Sequence, residues 1–330
     1  MINLENIFVH GRFLYSENGL YLFNTASGIE FNFSGKNVFI KMDVVSNQQN
    51  EAWFKAIIDD NYDSPIDLKV GKEKEFTVFN STSNEIHNLK ILKTSEAIES
   101  FVIIEDLKLT GTYLEKPKYE KEIFVFGDST VSAFGNLGLL GAEKTLFDTD
   151  GLNGFAYLTA KAFNASMNSL NASGWGLSFS PWTTPKRRPL LKIYQNLAPF
   201  EERLFEYNNH NPFAVIISLG TNDSFYFGLG EDIKPKEELI KEFMNDYHLF
   251  LTKLKNIFPT SPIFMVYGLM KEKHNYDVMH NIYLNNKDEF NLYECKLEGD
   301  GMGVSAHPSI ESHKKNSEIL IKMIKETIGE

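Results

Sequence analysis

The hydrophobic rhythm of this chain changes once, near residue 120, and that change constrains the fold more than any other feature. From residue 20 to about 109, apolar residues come in short β-rich runs broken by turn residues. The runs are Leu20–Phe23, Ile29–Phe33, Val38–Val45, Ala52–Ile58, Ile66–Val70, Glu75–Phe79, Ile86–Leu92 and Phe101–Leu109. Ile29-Glu30-Phe31-Asn32-Phe33 alternates with period two, as a strand with one wet face does. Ser34-Gly35-Lys36-Asn37 and Asp59-Asp60-Asn61 read as turns. Such runs, with no helical pattern among them, predict an all-β sandwich of jelly-roll type.

The polar stretch Thr110–Lys121, with Pro117, reads as a linker. It divides a sandwich over residues 1–117 from a second domain over 118–330. Beyond it Ile123–Phe126, Phe213–Leu219 and Ile263–Tyr267 are continuous apolar runs, as strands covered on both faces are. Leu239, Phe243, Tyr247, Phe250, Leu251, Leu254 and Phe258 recur mostly every three or four residues, the pattern of a one-sided helix. Ser309 reads as the cap of a last helix with an apolar face of Leu320, Ile321, Ile324 and Ile328. Strands alternating with helices predict an α/β domain, a flavodoxin-like three-layer arrangement around a parallel sheet. Ligands of such sheets bind at the carboxyl ends of the strands.

Composition removes several function classes. Hydrophobic residues are 42% of the 330, enough for a packed core. Lys and Arg number 33 against 44 Asp and Glu, a formal charge of -11, which disfavours nucleic-acid partners. Cys295 is the single cysteine, so no intrachain disulfide and no thiolate metal cluster is available. No metal-ligand spacing, phosphate loop or cofactor fingerprint occurs, so neither metal nor cofactor is expected. The chain has no basic, apolar leader and no apolar stretch long enough to span a bilayer. It is expected to be cytoplasmic, or secreted if a leader has been removed, with no membrane association. A monomer or small homo-oligomer is expected.

Two of the apolar runs end in unusual polar loops. Gly127-Asp128-Ser129-Thr130 follows Ile123–Phe126, and Gly220-Thr221-Asn222-Asp223 follows Phe213–Leu219. His307-Pro308-Ser309 precedes the last helix. A serine needs a base to become a nucleophile, and histidine titrates near neutrality. The oxyanion of acyl transfer needs hydrogen-bond donors aimed at it. These loops supply the parts. His313, in the last helix, is the competing histidine.

Gly127-Asp128-Ser129, the glycine in Ser173-Gly174-Trp175-Gly176, Gly220-Thr221-Asn222-Asp223 and the late His307 resemble, in order and spacing, the four blocks of the SGNH (GDSL-like) hydrolases. The resemblance extends to carbohydrate esterase family 2, which is similar in placing a jelly roll before the hydrolase domain. There it rests on His10-Gly11-Arg12-Phe13, on Gly28–Gly35 and on His87–Glu96. It implies an acetyl esterase acting on O-acetylated poly- or oligosaccharides. Ser129 would be the nucleophile and His307 the general base. The oxyanion hole would be the N–H of Ser129, the N–H of Gly174 and the amide of Asn222. Asp128 and Asp223 are expected to shape loops, Asp223 also lying where it could meet substrate.

One departure matters. The family pattern usually has an aspartate two or three residues before the histidine, where this chain has Ser305 and Val304. The resemblance then implies a Ser-His dyad whose imidazole is held by a backbone carbonyl, as in some members of carbohydrate esterase family 2. Asp300, seven residues upstream, is the possible third member. Trp175 and Trp182 flank the second block and would either stack on a sugar ring or pack in the core, Trp182 being the preferred platform. Lys186-Arg187-Arg188 reads as a solvated loop. Two rival readings are an SGNH esterase for another acyl ester, of an envelope glycan or a short lipid, and a non-catalytic carbohydrate-binding protein on the same fold.

Overall fold

The computed structural model describes residues 2–46, 49–181, 189–229, 234–270 and 275–329. The chain divides into two compact units, Met1–Glu120 and Lys121–Glu330.

The first unit is an antiparallel sandwich of nine strands: β1 Phe8–His10, β2 Phe13–Ser16, β3 Gly19–Leu22, β4 Gly28–Ser46, β5 Ala52–Ile58, β6 Ile66–Val70, β7 Glu75–Asn80, β8 Ile86–Lys93 and β9 Ser100–Tyr113. The central path runs β2-β3-β9-β4-β8-β5-β6, with β1 and β7 also on β4. Ser34-Gly35-Lys36-Asn37, expected to be a turn, lies inside the 19-residue β4. On one edge of β4 the partner changes at this point, from β8 along Gly28–Ser34 to β7 along Asn37–Lys41. A bulge between Gly35 and Asn37 accompanies the change. The turn-forming residues therefore bend a continuous strand. β9 likewise runs into the expected linker, ending at Tyr113. Asp59 and Asp60 do turn, both left-handed at φ 52° and 57°.

Alternation buries Phe31, Phe33, Val38, Ile40 and Met42 of β4 with Leu89, Ile91, Val102 and Ile104. Glu30 is buried among polar partners. Its carboxylate accepts from Tyr119 Oη at 2.6 Å, His10 Nε2 at 2.8 Å and Asn88 Nδ2 at 2.9 Å, with Lys90 Nζ at 3.7 Å. Burial alone would raise its pKa, but His10, Lys90 and Tyr119 together hold it down at about 2.

The second unit carries β10 Lys121–Gly127, β11 Ala165–Asn171, a small hairpin β12 Asn196–Ala198 and β13 Glu201–Leu204, then β14 Ala214–Ser218, β15 Ile263–Tyr267 and β16 Leu292–Lys296. Its helices are α1 Ser129–Ser132, α2 Phe155–Ala162, α3 Leu190–Ile193, α4 Thr221–Leu229, α5 Lys236–Ile257, α6 Tyr276–Asn286 and α7 Ile310–Ile328. The parallel sheet has the order β11-β10-β14-β15-β16. α5 presses Leu239, Phe243, Tyr247, Phe250, Leu251 and Leu254 onto Phe126, Val215, Ile217 and Met265. Each such side chain contributes on the order of 1.5–3 kcal/mol by leaving water. α7 starts at Ser309, whose hydroxyl accepts from Ser312 N, and ends at the left-handed Gly329. Among the described residues, no helix is long and apolar enough to cross a membrane.

Candidate active site

The parallel strands deliver the polar loops to one rim. β10 ends at Gly127, and Asp128 caps the short α1, its Oδ1 accepting from Thr130 N at 2.9 Å and from Thr130 Oγ1 at 2.8 Å. Gly127 is needed for close packing, because a Cβ there would stand 2.2 Å from Val131 Cγ2. Ser129 is thus the first residue of α1, with 7% of its surface exposed.

His307 arrives from the loop before α7. Its Nε2 lies 2.8 Å from Ser129 Oγ, although 178 residues separate the two in sequence. Its Nδ1 lies 3.1 Å from the carbonyl oxygen of Val304, which fixes Nδ1 as the protonated nitrogen and Nε2 as the acceptor. Ser305 and Ala306 are both left-handed, at φ 53° and 61°, and this turns the Val304 carbonyl back towards the ring. Two consecutive non-glycine residues in that region cost roughly 1–3 kcal/mol each. The loop is pinned by Val304 N to Gly135 O at 3.1 Å and by Gly303 N to His307 O at 2.8 Å.

Burial lowers the His307 pKa to about 4, and Lys144 adds to the fall. The carbonyls of Val304 and Ser305 pull the other way. The imidazole is therefore neutral at neutral pH and able to accept a proton. Phe134 packs against it, ring centroids 4.5 Å apart.

The second and third blocks meet beside them. Gly174 is left-handed at φ 78°, in the turn closed by Trp175 N and Ala172 O at 3.1 Å. Asn222, in the first turn of α4, donates through Nδ2 to Trp175 O at 3.0 Å and to Asp128 Oδ2 at 3.2 Å. One amide thus ties all three loops together. Asp223 is fully buried, and its carboxylate accepts from the backbone N–H of Leu177, Ser178 and Phe179, each at 2.8 Å. Burial raises the pKa of both Asp128 and Asp223 to about 6 against these hydrogen bonds.

Three expectations are corrected by these placements. Asp300 turns away from the imidazole. Its carboxylate accepts from Ser309 N at 3.0 Å, from Ser309 Oγ and from Met302 N at 3.1 Å, while Val304 faces His307. The Gly301-Met302-Gly303 loop folds Asp300 onto the α7 cap instead. Trp175 is fully buried with its ring edge-on to Phe200 at 5.5 Å, so it presents no face to a sugar. Asp223 has no exposed oxygen to offer a substrate, and acts on the second-block loop. Trp182 and Lys186-Arg187-Arg188 lie outside the described residues.

His313 sits fully buried on α7, stacked at 1° to Phe155, with Nδ1 accepting from Phe155 N at 3.2 Å. The backbone carbonyl expected at the imidazole is that of Val304, whereas sequence reading missed Phe134 and Lys144 altogether. Only a fold that brings residues 134–144 beside residue 307 reveals them. Among the described residues, no group of His, Cys, Asp and Glu is disposed to hold a metal ion.

Comparison with known proteins places this geometry. Residues 9–117 match the family model described as Carbohydrate esterase 2 N-terminal. The cellulase/esterase CelE of Acetivibrio thermocellus is 26% identical over 338 residues, 98% of this chain and 40% of that protein. An acetylxylan esterase / glucomannan deacetylase of Cellvibrio japonicus is 26% identical over 233 residues, 67% of this chain and 61% of that protein. The chain thus spans less than two thirds of the length of either relative. Among solved structures, a family two carbohydrate esterase from Clostridium thermocellum in complex with cellohexaose has a TM-score of 0.86 at 25% identity, covering 98% of this chain and 99% of that one. A family two carbohydrate esterase from Cellvibrio japonicus has a TM-score of 0.86 at 21% identity, covering 98% and 96%. Residues 9–117 thus match the N-terminal domain of carbohydrate esterase family 2, and the chain as a whole is similar to family two carbohydrate esterases.

Proposed function

We propose that this protein removes O-acetyl groups from acetylated poly- or oligosaccharides through a serine acyl-enzyme. The observation that carries the reading is the 2.8 Å contact between Ser129 Oγ and a neutral His307 Nε2. His307 takes the hydroxyl proton as Ser129 attacks the acetyl carbonyl. The N–H groups of Ser129 and Gly174 and the Asn222 amide receive the oxyanion. The protonated imidazole, its Nδ1–H on Val304 O, then gives its proton to the departing sugar alcohol. Water, activated by the same histidine, releases acetate and regenerates Ser129.

For Asn222 to serve, one amide N–H must be shared between its present acceptor and the oxyanion. The longer bond, 3.2 Å to Asp128, is the weaker hold. Asp128 and Asp223 act as shaping groups that set the Asn222 and Gly174 loops. The substrate class rests on what the relatives are called: a cellulase/esterase and an acetylxylan esterase / glucomannan deacetylase.

The test is acetate release from acetylated xylo-, manno- and gluco-oligosaccharides, with Ser129→Ala as control. The reading predicts release from at least one of them and a loss on the order of 10⁶ in the variant. Preference for octanoyl over acetyl p-nitrophenyl esters would replace it with a lipid-ester activity. Sugar binding without acetate release, unchanged in Ser129→Ala, would replace it with a binding function.

A further inference from the structure

A base without a carboxylate partner has a charge problem. During the reaction proposed above the imidazole becomes a cation, and Val304 offers Nδ1–H a neutral carbonyl at 3.1 Å. Asp300 is engaged by Ser309 and Met302. Beside the ring stands Phe134, at 4.5 Å between centroids and tilted by 39°. The face of a phenyl ring attracts a cation within about 6 Å. The same ring carries a second cation, since Lys144 Nζ lies 4.7 Å from its centroid. One aromatic ring therefore serves a permanent ammonium and a transient imidazolium.

We propose that Phe134 and Lys144 form a tuning pair for the general base. The Phe134 ring positions the imidazole and stabilises its cation, while Lys144 on the same ring opposes that cation. Both are positioning residues, acting on His307 and not on substrate. The two effects have opposite signs, so the pair can be taken apart by mutation. Removing the ammonium leaves the ring's whole attraction to the imidazolium, and the ring titrates at higher pH. Removing the ring leaves an imidazolium with the Val304 and Ser305 carbonyls and the repulsion of Lys144, and titration moves to lower pH. A charge acting across a partly exposed ring is expected to move the midpoint by roughly half a pH unit to one unit. His313 on α7 is held neutral by burial, down to about pH 3. Asp300, from the loop before His307, faces Ser309 and is unchanged in either variant. Asp128 is buried under Ser129 at the start of α1, and is likewise unchanged.

This inference rests on the esterase reading for its importance but not for its test. The His307 titration would be followed by NMR in the full-length protein, its signal assigned by its disappearance in His307→Gln. Wild type would be compared with Lys144→Met, Lys144→Arg and Phe134→Leu, with kcat/KM for p-nitrophenyl acetate measured across the same pH range. The expected results are an upward midpoint shift in Lys144→Met, recovery in Lys144→Arg and a downward shift in Phe134→Leu. The acid limb of kcat/KM should follow each shift, with KM moving less than kcat. A His307 midpoint unmoved in Lys144→Met, with the fold intact, would overturn the pairing. Shifted midpoints in a protein without esterase activity would uphold the pairing and overturn the esterase reading instead.

Discussion

Replacing Asp300 by Asn asks whether the histidine works with a carboxylate or with a backbone carbonyl. In a triad, spoiling the charged member costs about 10⁴ in kcat, because the imidazole loses both its tautomer and the counter-charge of its cation. Here the Asp300 oxygens accept from Ser309 N at 3.0 Å, Met302 N at 3.1 Å and Ser309 Oγ, and His307 Nδ1 faces Val304 O at 3.1 Å. The substitution should therefore cost less than about tenfold in kcat, far below that triad loss. Its effect should fall on stability instead, since Ser309 is the N-cap of α7 and the carboxylate braces it. A hydrogen bond to a charged group is worth roughly 1.5–3 kcal/mol when shielded, and the solvent around Asp300 reduces this to about 1 kcal/mol. For a domain of this size that lowers the melting temperature by about 2–4 °C. Saturating rates on p-nitrophenyl acetate and calorimetric melting of the same preparation measure the two effects. A kcat loss of about 10³ or more with unchanged melting would refute the placement of the carboxylate on the helix cap.

Three further outcomes follow from the same geometry. Asn222→Ala should lower kcat by roughly 10²–10³ with a smaller change in KM, measured by steady-state kinetics on an acetyl ester. The kcat/KM profile should keep its plateau well below pH 6.5, because burial holds the His307 pKa at about 4 and the base is neutral above that value; a limb near the ordinary histidine value would contradict the burial. Glu30 titrates near 2 when folded and near 4.5 when not, so its contribution is complete above about 4.5 and lost as pH falls towards 2. Glu30→Gln should accordingly cost up to about 3 kcal/mol at neutral pH and flatten the acid arm of a urea-melting series.

Where an amino-acid pattern reports one local cause, the sequence was readable. Period-two alternation marked the start of β4, and the three-four spacing of Leu239 to Leu254 marked α5. Gly127-Asp128-Ser129 and Gly220-Thr221-Asn222-Asp223 stood out because each follows an apolar strand. The failures came where tertiary contacts overrode local chemistry. Ser34-Gly35-Lys36-Asn37 has turn residues, yet neighbouring strands on both edges hold it extended with a bulge. β11 was missed because Ala165-Ser166-Met167-Asn168-Ser169-Leu170-Asn171 is half polar, although all seven residues are buried. Asn168 there donates to Glu122 and Ser166 to the Lys121 carbonyl, so part of its polarity is met inside the protein.

α7 shows the same effect on a helix. Its expected face of Leu320, Ile321, Ile324 and Ile328 covers only the C-terminal half. The N-terminal half buries Ser312, His313, Asn316 and Ser317. Asn316 accounts for much of this, donating to Glu298 O and Ser312 O, both at 2.8 Å, and accepting from Glu298 N at 3.0 Å. No periodicity of apolar residues can announce a polar seam. The site divided along the same line: Ser129, His307 and Asn222 came from motifs and the backbone carbonyl at the imidazole from the family resemblance, whereas Phe134 and Lys144 come near His307 only through the path of the backbone.

The most direct test of the account is to trap the covalent intermediate. The protein would be mixed with an activated acetyl ester, quenched in acid within one turnover, digested and mapped by mass spectrometry. The account predicts a single added acetyl group on the peptide containing Ser129, strongly reduced when His307 is replaced by Gln. Turnover of the ester with no acetyl group on Ser129, or with the label on another residue, would contradict it.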